Sequence, residues 1–203
     1  MTIRSEAEAT ARAQRFSGWR LRSDTGAYGG LARFLHWVTP VLLIGSFGLV
    51  WSLSYLPVGP DRVQAVGIHR SIGLIVLALT TGRVIWRFLD HYPGLVGPRP
   101  LRWVAASVHA MLYAALLATP LFGWTYTNAR GHKLAFFGLP LPSVIMKDEY
   151  FSRVAITMHE WLAYTLLCLL AVHIAAALWH HWVLRDQTLK RMTLRIRPPA
   201  RSR

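Results

Sequence analysis

The chain has 203 residues, of which 53% are hydrophobic and 12% aromatic, yet it carries 23 Lys and Arg against 9 Asp and Glu, for a formal net charge of +14. The positive side chains cluster around four apolar stretches that are nearly free of charge, which argues against a soluble domain and against a nucleic-acid-binding face, where basic residues spread over a folded surface. The one cysteine, Cys168, excludes an internal disulfide and a thiolate metal cluster.

In chain order, residues 1–30 contain no apolar core of signal-peptide length and read as a flexible basic tail. A membrane domain is expected over 31–190, with helices at 31–53, 66–88, 103–126 and 154–183, and a second basic tail over 191–203. The connections SYLPVGPDR, DHYPGLVGPRP and NARGHKLAFFGLPLPSVIMKDEY carry the Pro and Gly. Unpaired backbone amides are intolerable in lipid, and the period-two alternation of barrel strands is absent, so the spanning elements are helices. The expected fold is all-α, an integral membrane four-helix bundle. Seventeen Lys and Arg fall with the two tails and the second connection and six with the first and third, a bias that puts both termini in the cytoplasm of a multi-pass protein. Trp51, Trp86, Trp103 and Trp182 fall near expected helix ends, as interfacial aromatics do.

The fourth segment, MHEWLAYTLLCLLAVHIAAALWHHW, places His159 and His173 fourteen residues apart. On a helix that spacing falls about 40° short of four turns and rises about 21 Å, so both imidazoles share one face at two depths. Buried imidazoles in a membrane are costly and face the bundle interior with a partner. Two stacked haems suit them, each iron taking one nitrogen from this helix. With alternating helix directions His36 (RFLHW) reaches the depth of His173, and His69 (GIHRSIG) that of His159, giving the pairs His36/His173 and His69/His159. Two imidazoles saturate the axial positions and favour electron transfer over oxygen binding. No C-x-x-C-H occurs, so the haems are b-type and non-covalent. His109 enters at a depth comparable with His36 and stays open as an alternative ligand, a neighbour of that haem or a quinone contact. His180 and His181 read as interfacial, and His91 and His132 as loop residues. Arg70, Arg83 and Arg87 are candidate partners for haem propionates, with lipid phosphate as the other reading.

RFLHW, GIHRSIGLIVLALTTGRVIWR, the fourth segment and LRDQTLKRM together resemble the bacterial cytochrome b561 family over about 32–192, with the HH before the last basic segment and the NARG turn as further points of similarity. The resemblance implies a four-helix di-haem, quinone-reactive cytochrome of the bacterial inner membrane, with ligands at His36, His69, His159 and His173 and with His109 uncoordinated. It implies electron exchange with ubiquinone, and in the superoxide oxidase branch the oxidation of periplasmic superoxide. Arg70, Arg130, His132, Lys133 and Arg153 are then candidates for an electropositive entry for a small anion. A different expectation is a membrane anchor and electron conduit for a dehydrogenase, hydrogenase or periplasmic cytochrome, docked through an apolar segment such as LAFFGLPLPSV. A third, a transporter relaying protons on histidines, would hold no haem.

Overall fold

The structure, a computed structural model, describes residues 21–24, 26–91, 93–94 and 97–193. Its elements in order are α1 (Gly30–Ser52), α2 (Pro60–Leu89), α3 (Arg99–Ala129), the two-residue strands β1 (Ala135–Phe136) and β2 (Leu139–Pro140), α4 (Glu149–Trp182) and α5 (Thr188–Thr193). The four long helices are each long and apolar enough to cross a membrane. They run alternately up and down, with contacts joining α1 to α2, α2 to α3 and α3 to α4. The start of α1 and the end of α4 therefore lie with the α2–α3 connection at one end of the bundle, the termini end. The β1–β2 hairpin and the α1–α2 connection lie at the other, the hairpin end.

Three of the helices are longer than apolar density predicts, because their first turns are polar. α2 starts at Pro60 rather than at 66, with Pro at the first helical position and Asp61 in the first turn. α4 starts at Glu149 rather than at 154, capped by Asp148, whose side chain accepts the Phe151 amide at 2.9 Å. Lipid-facing residues such as Val41, Ile44, Ile85, Val104 and Ile174 are exposed, and the interior is a narrow apolar cluster of Leu43, Val76, Leu112, Ala115, Leu116 and Leu166. The α3–α4 contact uses small side chains, with Ala155 and Ala115 buried, which is how helices approach closely where lipid removes the hydrophobic drive between them.

Two differences from the sequence reading concern the ends. Residues 21–24 and 26–29 are not a loose tail. The Ser23 amide and hydroxyl both donate to the Asp90 carboxylate, and the Tyr28 amide donates to the Arg191 carbonyl, which binds this strap to the α2–α3 connection and to α5. α5 continues to Thr193, past the expected domain boundary at 190, and the Trp37 indole donates to the Met192 carbonyl at 3.1 Å. The remainder of the expected tails, 1–20 and 194–203, lies outside the described residues. The third connection, expected as a plain loop, is a folded unit. Asn128 donates to the His132 carbonyl and accepts the Val144 amide, and the hairpin tip is tied to α2 by the Phe137 amide, which donates to Ser71 Oγ at 3.0 Å. Its turn residues Phe137 and Gly138 have φ of 45° and 92°, a conformation that glycine tolerates and phenylalanine does not favour.

Candidate functional site

At the hairpin end, His69 of α2 and His159 of α4 face one another across the bundle, their ring centroids 6.1 Å apart and their planes at 84°. Each ring is held through Nδ1 by an oxygen of a neighbouring helix. His69 Nδ1 lies 2.9 Å from the hydroxyl of Ser46 in α1 and 3.4 Å from the Ser46 carbonyl. His159 Nδ1 lies 2.8 Å from the carbonyl of Thr119 in α3. That carbonyl is reachable because the residue one turn later is Gly123, where a Cβ would stand 3.1 Å from His159 Nδ1. Beside the two rings is a cavity of about 240 Å³ lined by Phe47, Trp51, Gly73, Pro120, Glu160 and Tyr164 among others.

At the termini end, His36 of α1 faces His173 of α4 with ring centroids 6.2 Å apart and planes at 69°. A third imidazole joins them, since His109 of α3 is 5.3 Å from the His173 ring, also edge to face. Here the support differs. Among the described residues His36 Nδ1 is buried with no hydrogen-bond partner, and neither His36 nor His173 has a side-chain hydrogen bond to protein. Arg83 and Arg87 are stacked near the Tyr113 ring, at 5.3 Å and 6.0 Å.

The spacing of imidazoles that the sequence predicts is thus present at both levels of α4, and the fourteen-residue interval separates them by about 21 Å. Of the other sequence candidates, Arg70 lies next to His69 and is half-buried, while Arg130, His132 and Lys133 are exposed around the hairpin. Arg153 is exposed and paired with Glu149 at 3.0 Å, which offsets its charge. His91 is exposed at the termini end.

Four groups escape a sequence reading. Ser46, the Thr119 carbonyl and Gly123 act through contacts between helices, and no residue spacing within one segment encodes them. The fourth is Asp186, which lies 2.5 Å from His180 Nδ1 and also accepts the Thr188 amide, so that His180, read as merely interfacial, belongs to a fixed polar junction between α4 and α5. Burial acts to raise the Asp186 pKa, but the hydrogen bonds from His180 and Thr188 and the His180 charge outweigh it and hold the carboxyl below its ordinary value.

The family described as prokaryotic cytochrome b561 matches residues 27–194 of this chain. Among similar proteins, cytochrome b561 homolog 2 of Escherichia coli (strain K12) is 30% identical over 169 residues, 81% of this chain and 90% of its own. Cytochrome b561 homolog 1 of the same strain is 28% identical, over 78% of this chain and 92% of its own. A Yersinia pestis protein named "Probable superoxide oxidase CybB" is 27% identical, over 81% of this chain and 94% of its own.

Proposed function

The chain belongs to the prokaryotic cytochrome b561 family, membrane haem proteins that transfer electrons, and from that premise we propose that it holds two b-type haems and passes single electrons from superoxide to ubiquinone across a bacterial inner membrane. The observation that carries the haem assignment is the pair of imidazole separations. With metal–imidazole bonds of about 2 Å, two imidazoles that would hold one iron between them would have ring centroids about 6 Å apart. The observed 6.1 Å and 6.2 Å fit that requirement at both levels. At the hairpin end the fit extends to the ring atoms, because Nδ1 of His69 and of His159 is engaged by oxygen and Nε2 is left for iron.

In this reading His36 and His173 hold one haem, and His69 and His159 the other. His109, edge to face against His173 at 5.3 Å, would pack beside the first haem without binding its iron. Arg83 and Arg87 at the termini end, and Arg70 at the hairpin end, pair with propionates. When bound, each haem supplies a one-electron carrier, and the protein orients it and sets its environment. With the termini in the cytoplasm, the hairpin end faces the periplasm, where Arg130, His132 and Lys133 attract a small anion. The net reaction balances as two superoxide anions giving up one electron each to become two molecules of oxygen, while one ubiquinone gains two electrons and two protons.

A second reading, electron conduit for a protein partner, draws on the exposed apolar side chains Phe137, Leu139, Val144 and Met146 at the hairpin end. Stopped-flow reduction of the purified protein by a superoxide pulse, followed by ubiquinone, separates the two. Superoxide reading: rapid appearance of the reduced b-type spectrum and its loss on adding quinone. Haems that stay oxidised under superoxide overturn that reading in favour of the conduit.

A further inference from the structure

The two imidazole pairs have the same spacing and unequal support. At the hairpin end both rings have an oxygen on Nδ1, Ser46 Oγ at 2.9 Å from His69 and the Thr119 carbonyl at 2.8 Å from His159. At the termini end His36 Nδ1 is buried with no hydrogen-bond partner among the described residues, and the His173 ring lies edge to face against another imidazole, His109. With Nε2 turned to iron, Nδ1 carries the proton and donates it to the oxygen. An imidazole so engaged gains anionic character and stabilises the oxidised metal over the reduced one, which lowers the potential.

Resting on the bis-imidazole reading above, we propose that the hydrogen bonds to Ser46 and Thr119 make the hairpin-end haem the low-potential member of the pair, with Ser46 as the positioning side chain that sets the difference. An electron passing from the hairpin-end pair to the termini-end pair would then move downhill, without a proton.

The test uses the full chain with its haems in lipid nanodiscs and an optical redox titration that resolves two one-electron steps. In Ser46→Ala the lower midpoint moves upward and the upper one stays. The Ser46 carbonyl at 3.4 Å lies beyond ordinary hydrogen-bond range and replaces the hydroxyl poorly. Ser46→Thr keeps a hydroxyl and restores the lower midpoint. An unmoved lower step, a shift of the upper step alone, or a downward shift each overturns the proposal. Pyridine haemochromogen and low-spin ferric resonances in the same samples report separately on the reading beneath it: fewer than two bis-imidazole haems per chain overturns both, whereas two such haems with an unmoved lower step overturns only the role of Ser46.

Discussion

Gly123 sets how near His159 can come to α3. A Cβ there would stand 3.1 Å from Nδ1 and 3.2 Å from Cε1 of the ring, so Gly123→Ala must displace a group that the Thr119 carbonyl holds in place. Overpacking of this kind costs about 1–3 kcal/mol. The expected outcome is a chain that still inserts and folds but carries close to one haem in place of two, read by haemochromogen content per chain. If His69 holds that haem as proposed, His69→Ala should remove it too, and a double variant should lose no more haem than His69→Ala alone. Asp186 offers a second residue-level check, away from the membrane. Its carboxyl titrates below the ordinary value in the folded protein, so its contribution to stability is present above the ordinary aspartate pKa and is lost as pH falls through the depressed one. Wild type should therefore melt higher than Asp186→Asn near neutral pH, and the gap should close on acidification below about pH 4. Equal melting temperatures at pH 7 would show that the His180 junction stabilises nothing. The histidines of the site were legible because one helix carries two of them on one face. Ser46 and Gly123 were not, since each acts on a ring in another helix, and Asp186 was not, since it meets His180 across the turn between α4 and α5, where no helical spacing applies.

Helix starts mark where reading from apolar density falls short at the element scale. α2 and α4 begin five or more residues before their apolar runs because Pro60, Asp61, Asp148 and Glu149 are polar signals of initiation, and density alone cannot weigh them. Asp148 is the most exposed to test: its side chain caps α4 and its own amide donates to the Ala129 carbonyl, joining α3 to α4. Asp148→Ala keeps the amide contact and removes only the cap, so a loss of about 0.5–2 kcal/mol is expected in thermal or denaturant unfolding, with haem content unchanged. The hairpin between these helices was invisible to a reading of spans because its strands are two residues long and its order comes from Asn128 at the base and Ser71 at the tip. Phe137 at the turn, with φ of 45°, holds a conformation that Asn or Gly adopts more readily.

Across the whole molecule, the four helices outreach the membrane, and the excess carries the polar chemistry. α4 has 34 residues, about 51 Å of helix against a hydrocarbon core of about 30 Å. The surplus turns hold Glu149 and Arg153 at one end and His180 and His181 at the other, while His159 and His173 fall within the span. The charge bias predicts which end faces which compartment. The termini end gathers Arg83, Arg87, Arg99, Arg102, Arg185, Lys190 and Arg191 with Asp90 and Asp186, and the hairpin end has fewer cations, Arg62, Arg130, Lys133, Lys147 and Arg153, with Asp61, Asp148 and Glu149. The chain's one native thiol, Cys168, makes this orientation measurable once it is replaced by serine. Against that background a cysteine at exposed Ser143, in the hairpin connection, should react with a membrane-impermeant maleimide in cells whose inner membrane is intact. A cysteine at exposed His91, in the α2–α3 connection, should react only after that membrane is opened. The reverse pattern would put the His36/His173 pair nearest the periplasm. The better-supported His69/His159 pair would then face the cytoplasm, so a potential difference set by Ser46 and Thr119 would draw electrons outward, and superoxide arriving from outside would meet the wrong end of the gradient.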